Sequence, residues 1–235
     1  MPDDRRAETR RPRARKPAAT RGPSSRPILA RPAPGPVAPA GAGRVIAGVA
    51  RGTRLAAPGA MTRPLGDRVK QTLFAILEPD LRGGAFLDLF AGSGAAGIEA
   101  LSRGAVGATF VERDRAAEAV IRVNLERAHL AGPDVRVVRA EALAWLGNAA
   151  GFGNGPFHVA FLDPPYDKPE LLLAALDRLG VAGGILGPGA VVVAKHFWRT
   201  EPPRQIGLLA SDRARRFGET ALTFYRAVES TEALA

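Results

Sequence analysis

Four consecutive residues, Asp163-Pro164-Pro165-Tyr166, carry the most chemistry in this 235-residue chain. They follow an apolar run, His158-Val159-Ala160-Phe161-Leu162, that reads as a buried strand. Ligand sites in open α/β sheets lie at such strand ends. The Asp163 carboxylate and the Pro164 carbonyl are acceptors, and the two prolines fix the backbone while removing competing N–H donors. An exocyclic amine of guanine, adenine or cytosine could give one hydrogen to each, leaving its lone pair pointing outward at an electrophile. Tyr166 offers a face for the base. Delivering a methyl group to that nitrogen asks for in-line alignment and no metal. Standing alone, the tetrapeptide could equally be a rigid strand-to-loop turn.

A second loop decides what stands nearby. The first apolar run ends in Asp88-Leu89-Phe90-Ala91-Gly92-Ser93-Gly94-Ala95-Ala96-Gly97, so Gly92, Gly94 and Gly97 satisfy G-x-G-x-x-G at a strand-to-helix turn. Glu112 follows Gly92 by twenty residues, at the end of the next strand, the place of an acid that binds ribose hydroxyls. Glycines admit close backbone approach, and the helix N-terminus presents free N–H groups. These features alone fit a nicotinamide dinucleotide or S-adenosylmethionine. Asp88 favours the second, because a carboxylate there repels a pyrophosphate and attracts an ammonium or sulfonium.

Both motifs need a frame that brings strand ends together. Apolar runs at 85–90, 107–111, 135–138, 158–162 and 190–194 read as strands, and amphipathic stretches at 95–103, 114–130, 141–147 and 169–180 as the helices between them. Right-handed crossovers then give an α/β fold, a doubly wound, mostly parallel, Rossmann-like sheet covered on both faces. Arg44 to Gly48 and Arg51 to Leu55 read as two short strands around a glycine turn, an N-terminal hairpin extension over 44–62. A helix begins near Arg63, with Val69, Leu73, Ile76 and Leu77 on one face. Segments 204–210 and 221–228 read as a closing antiparallel hairpin, so the catalytic core spans 63–235.

Composition bounds the rest. Residues 1–43 are Arg, Pro, Ala and Gly with few large apolar residues, and read as a disordered basic tail. The net charge of +10 is mostly there: residues 1–44 carry +8 and 45–235 only +2. There is no cysteine, which removes disulfides and thiolate metal sites, and no metal is expected. No run of eighteen apolar residues and no secretory signal is present, so a cytoplasmic protein off the membrane is expected.

On these residues the chain resembles the bacterial 16S ribosomal RNA guanine-N2 methyltransferases of the RsmD type, from about Arg44 to Ala227. Two blocks carry the resemblance beyond the generic loop. One runs from Arg44-Val45-Ile46-Ala47-Gly48 through Thr62-Arg63-Pro64-Leu65-Gly66-Asp67-Arg68-Val69 to Thr72-Leu73-Phe74. The other is Asp88 to Gly94, continued by Gly97-Ile98-Glu99-Ala100-Leu101-Ser102-Arg103-Gly104-Ala105, with Gly218-Glu219-Thr220 and Tyr225-Arg226 near the end. The resemblance implies methylation of a guanine N2 amine in small-subunit ribosomal RNA, within an assembling particle. It implies S-adenosylmethionine bound by Asp88, Ala91, Gly92, Ser93, Gly94 and Glu112, with Glu141-Ala142 beside the adenine. Asp163, Pro164, Pro165 and Tyr166 would be catalytic. The chain departs from the family pattern at Leu65, at Lys70-Gln71 and at Ala194-Lys195-His196. His196 reads as a solvent-facing loop residue beyond the strand.

For RNA, the segment from Arg44 to Lys70 is the best footprint. Arg44, Arg51, Arg54, Arg63, Arg68 and Lys70 face one acid, Asp67, a local excess of +5. These six are the expected phosphate contacts, unless they form a solvated basic face or Arg68 pairs with the cofactor carboxylate. A monomer is expected. Three other readings compete: a DNA adenine or cytosine amino-methyltransferase, an NAD-dependent oxidoreductase, and an RNA-binding module without activity. The first usually needs a target-recognition domain for which there is no room, the second leaves the Asp163–Tyr166 tetrapeptide without a role, and the third leaves both motifs without one.

Overall fold

The computed structural model describes residues 43–59, 65–149, 155–181 and 183–228. Of the tail expected over 1–43, residues 1–42 lie outside them, as does the phosphate contact expected at Arg63. Elements alternate as the apolar periodicity requires: α1 (Asp67–Leu81), β1 (Ala85–Asp88), α2 (Ala95–Ser102), β2 (Gly107–Glu112), α3 (Arg115–Arg127), β3 (Val135–Arg139), α4 (Ala142–Ala149), β4 (Phe157–Leu162), α5 (Pro169–Leu179), β5 (Leu186–Phe197), β6 (Gln205–Ile206), β7 (Leu209–Phe217) and β8 (Thr220–Ala227).

They form one eight-stranded sheet of order β3-β2-β1-β4-β5-β8-β7-β6. Strands β1 to β5 are parallel, and β8 pairs antiparallel with both β5 and β7. The expected α/β class, mostly parallel sheet and C-terminal antiparallel hairpin are therefore present. Two apolar layers hold it. Leu73, Phe74 and Leu77 of α1, Ile98 of α2 and Ile121 of α3 pack on one face with Phe86, Phe110, Phe161 and Phe224. On the other face, Leu172 and Leu176 of α5 pack with Leu87, Val111, Leu162, Val192 and Tyr225. Complete burial of such side chains is worth about 1.5–3 kcal/mol each, which is what pins alternate strand residues to alternate faces.

The sequence reading shifts at both ends of the domain. The two short N-terminal strands narrow to one antiparallel bridge, Arg44↔Arg54. Backbone bonds flank it, from the Val45 N–H to the Thr53 carbonyl at 2.9 Å, the Gly52 N–H to the Val45 carbonyl at 2.9 Å and the Leu55 N–H to the Gly43 carbonyl at 3.0 Å. Side chains of the core hold the rest of the segment. The fully buried Glu99 accepts from the Ile46 N–H at 2.7 Å, the Ala47 N–H at 3.0 Å and Arg103 Nε at 2.7 Å. Ser102 Oγ accepts from the Ala50 N–H at 2.9 Å and donates to the Ala47 carbonyl at 2.6 Å. Asn124 Oδ1 accepts from the Ala56 N–H at 2.8 Å, while its Nδ2 donates to the carbonyls of Ala56 and Ser93. Ile46, Ala47, Ala50 and Ala56, whose N–H groups are satisfied by side chains, need no strand ladder. At the other end the closing hairpin joins β7 and β8 about Gly218-Glu219, while 204–210 supplies only the short β6 and the start of β7.

Candidate active site

The chain runs outward from β1 to β2 and β3, then returns to place β4 on the other side of β1. Ligand sites form at such a reversal, outside the carboxyl ends of the strands. Register puts Asp88, the last residue of β1, opposite Phe161 of β4, two residues before Asp163. Both motifs therefore open on one edge of the sheet. A cleft of about 770 Å³ there is lined by Asp88, Gly92, Glu112, Asp163 and Tyr166, together with Glu141.

The glycine loop is shaped by two close approaches. Gly94 stands at φ 76° as the residue before α2, and a Cβ there would meet Ile121 Cγ2 at 3.2 Å. Gly97 lets α2 rest on β2, since its Cβ would stand 2.3 Å from Phe110 Cε1. The loop is then tied to both acids. The Gly92 N–H donates to Glu112 Oε2 at 2.8 Å, with the Asp114 N–H on Oε1 at 2.8 Å. The Gly97 N–H donates to Asp88 Oδ2 at 3.0 Å. Asp88 is 1% exposed, and burial pushes its carboxyl up to about 8, with the Gly97 N–H opposing and Asp163 and Glu112 adding to the rise.

The chemistry of this donor set fits S-adenosylmethionine. A buried carboxylate whose ionisation is suppressed by its surroundings is a site for a cation such as the ligand's ammonium, and it is a poor site for pyrophosphate. Glu112 keeps a lone pair on each oxygen for a ribose diol. Glu141 is exposed and pairs with Arg113 at 3.2 Å, beside the buried Ala142 that opens α4. Ala91 and Ser93 line the same cleft.

Around the tetrapeptide, Asp163 is partly buried, Pro164 buried, Pro165 exposed and Tyr166 partly buried. The Tyr166 hydroxyl is 2.8 Å from Thr220 Oγ1, so the hairpin strand β8 braces the ring. Sequence reasoning did not assign a role to Lys195. Leu162 and Ala194 pair across β4 and β5, so the residue after each projects side by side. Lys195 Nζ donates to Asp163 Oδ1 at 2.5 Å and lies 4.8 Å from the centre of the Tyr166 ring. With side chains 13% and 24% exposed, this is a largely withdrawn pair. Burial raises the Asp163 carboxyl above the ordinary range while Lys195 pulls it down. Burial alone would lower the Lys195 ammonium, and Asp163 more than offsets this, so it stays protonated.

Other expectations change. Lys70 is fully buried in α1, and its ammonium donates to the Arg44 carbonyl. Burial lowers its pKa, with Glu99 pulling back upward. It thus leaves the set of phosphate contacts: the helix period turns it toward the core while Arg68 stays exposed. Arg51 and Arg54 are exposed, and Arg44 is exposed with its guanidinium 3.2 Å from Asp67. His196 is 4% exposed, not a loop residue, because β5 continues to Phe197; its Nε2 is 2.9 Å from Thr223 Oγ1. Asn124, Glu99 and Ser102 were also missed. Their one sequence signal is a polar residue at a core-facing helical position. Among the described residues no cluster of His, Asp or Glu could hold a metal ion, and no helix is long and apolar enough to cross a membrane.

Comparison with known proteins gives consistent matches. The family described as conserved hypothetical protein 95 matches residues 43–226. "Putative rRNA methyltransferase YlbH" of Bacillus subtilis (strain 168) is 39% identical over 186 residues, covering 78% of this chain and 98% of that one. "Ribosomal RNA small subunit methyltransferase D" of Escherichia coli (strain K12) is 42% identical over 126 residues, 53% of this chain and 61% of that protein. Among solved structures, "Putative methyltransferase yhhF from Escherichia coli" superposes with a TM-score of 0.68 at 34% identity, covering 79% of this chain and 98% of that one.

Proposed function

The chain belongs to the RsmD-type family, and from that premise we propose that it methylates the exocyclic N2 amine of a guanine in 16S ribosomal RNA, with S-adenosylmethionine as donor. One observation carries the reading: Asp88 and Asp163 end neighbouring parallel strands and open into one cleft with Tyr166. The cofactor supplies an activated methyl group when bound. Asp88 meets its ammonium, Glu112 its ribose, and Glu141-Ala142 its adenine.

The remaining work falls to the tetrapeptide. Tyr166, braced on Thr220, stacks the base. Asp163 Oδ2 and the Pro164 carbonyl accept the two amine hydrogens, which turns the nitrogen lone pair toward the cleft. Lys195 on Oδ1 holds the carboxylate ionised, so that it accepts rather than donates. As the nitrogen gains carbon it sheds a proton, and the Asp163 oxygen already bonded to it is the base. Arg44, Arg51, Arg54 and Arg68 hold phosphates near the flipped base. The substrate is an assembling small subunit in the cytoplasm, met by a monomer that needs no metal.

Transfer of a tritiated methyl group to small-subunit particles, naked ribosomal RNA and duplex DNA, followed by nucleoside analysis, tests this. N2-methylguanosine in RNA is expected. Asp163→Ala should lower turnover by roughly 10²–10³-fold with cofactor affinity preserved, the scale for losing one positioned electrostatic group. Methylated DNA bases, or a fully active Asp163→Ala enzyme, would defeat the proposal.

A further inference from the structure

The face of the sheet that carries Asp163 and Lys195 continues onto the C-terminal hairpin. Register runs from Lys195 in β5 to Leu222 in β8 and on to Arg215 in β7; one pleat further, Val193 meets Phe224 and then Arg213. Residues in register share a face. Arg215 and Arg213 therefore project on the same side as the catalytic pair, two strands from Lys195, or about 10 Å at ordinary strand spacing, and three from Asp163. Both are exposed, and neither has an acidic partner among the described residues; Arg215 Nη1 donates to the Ala214 carbonyl at 2.8 Å.

These two arginines form one wall of a groove of about 720 Å³. Gln71 and Thr72 of α1 line the opposite wall, and Val191 and Phe224 also line it. Charge is unequal along it. At the far end Arg226 is neutralised by Asp80 at 3.0 Å and also donates to the Gly189 carbonyl. Asp212 is the other acid in the lining. The remaining arginines of this region are engaged on Trp198: Arg216 lies 3.6 Å and Arg199 4.7 Å from its ring. The cationic end is thus the end toward Asp163. The hairpin that carries it is also the one that braces Tyr166 through Thr220.

Resting on the RNA-methyltransferase reading, we infer that this groove, through Arg213 and Arg215, holds the sugar–phosphate strand flanking the target nucleotide. Its polar wall at Gln71 supplies amide donors of the kind that contact phosphate and ribose without reading sequence, while the Thr72 hydroxyl, which donates to the Arg68 carbonyl at 3.2 Å, is left as an acceptor for a ribose hydroxyl. Beyond Ala210 the outer side of β7 has no pairing with β6, and charges there also discourage strand pairing, but that role has no need for the open groove in front of them or for alignment with the catalytic face.

The test uses the full chain and small-subunit ribosomal RNA. Arg213→Glu/Arg215→Glu should raise the KM for RNA by ten-fold or more, on the order of two lost and reversed phosphate contacts. Arg213→Gln/Arg215→Gln should raise it less and make the slope of log affinity against log salt shallower by about 1.4, the single-strand value for two phosphates. Cofactor affinity and kcat at saturating RNA should stay at the wild-type level in both. RNA binding is measured apart from methyl transfer. A wild-type enzyme that methylates no ribosomal RNA would count against the proposed function, whereas wild-type RNA affinity and salt slope in both double variants would overturn the groove.

Discussion

Lys195 Nζ stands 2.5 Å from Asp163 Oδ1, on neighbouring parallel strands at the edge where the glycine loop opens. An acceptor in a withdrawn site works only while it is ionised. Lys195→Met removes the group that opposes burial, so the Asp163 carboxyl should rise further. Activity that needs the carboxylate should then fall away at higher pH than in the wild type. The acid limb of the kcat/KM profile is expected to move up with it. Lys195→Arg should restore most of the shift. A limb that stays in place in Lys195→Met would separate the pair from the chemistry.

Asp88 gives a second pH dependence. Its folded value of about 8 lies above the ordinary 3.8. Its contribution to the stability of the ligand-free protein is therefore fully present below about pH 4 and is lost as pH rises through 8. Binding of a cationic ligand has the opposite sign, since it favours the ionised form. Cofactor affinity should rise with pH up to about 8, and calorimetry at pH 7 should show about one proton released. Asp88→Asn should bind more weakly, with that pH dependence gone.

Glu99 holds the N-terminal segment without touching the cleft. Glu99→Ala leaves the Ile46 and Ala47 N–H groups and Arg103 without their acceptor. A loss of about 3 kcal/mol is expected, at the low end for a broken buried pair because Arg103 is partly exposed. Thermal unfolding should show it, and hydrogen exchange should speed up at Ile46 and Ala47.

Gly97→Ala asks for a Cβ 2.3 Å from the Phe110 ring, where α2 rests on β2. Overpacking of this kind costs about 1–3 kcal/mol. The helix must lift from the strand, so the Asp88 bond to the Gly97 N–H should lengthen and cofactor affinity should fall with stability. A variant as stable as the wild type would show that α2 tolerates a shift.

What could be read from the chain alone was whatever depends on local period and loop chemistry. Alternating apolar runs located β1 to β4 within a residue or two, and the glycine and proline motifs marked their carboxyl ends. What could not be read depends on partners far away in sequence. Lys70 looked like one more surface cation, yet its place on the inner face of α1 and the Arg44 carbonyl turn it inward. His196 looked like loop, but β8 pairs with β5 as far as Phe197. The N-terminal segment keeps a pairing about Arg44↔Arg54, but the bonds that Glu99, Ser102 and Asn124 give its backbone could not be read from the chain. Lys195 is a lone cation after an apolar run until β4 and β5 lie side by side.

The place of β8 has a consequence for folding. Among the described strands β8 is the last in chain order, yet it is an inner one, lodged between β5 and β7. Until it docks, Val191 to Phe197 present an open hydrogen-bonding edge, and Tyr166 has no Thr220 to lean on. A chain in which β8 has not docked is therefore prone to pair with a neighbour along that edge. Competence arrives when β8 docks and closes the sheet.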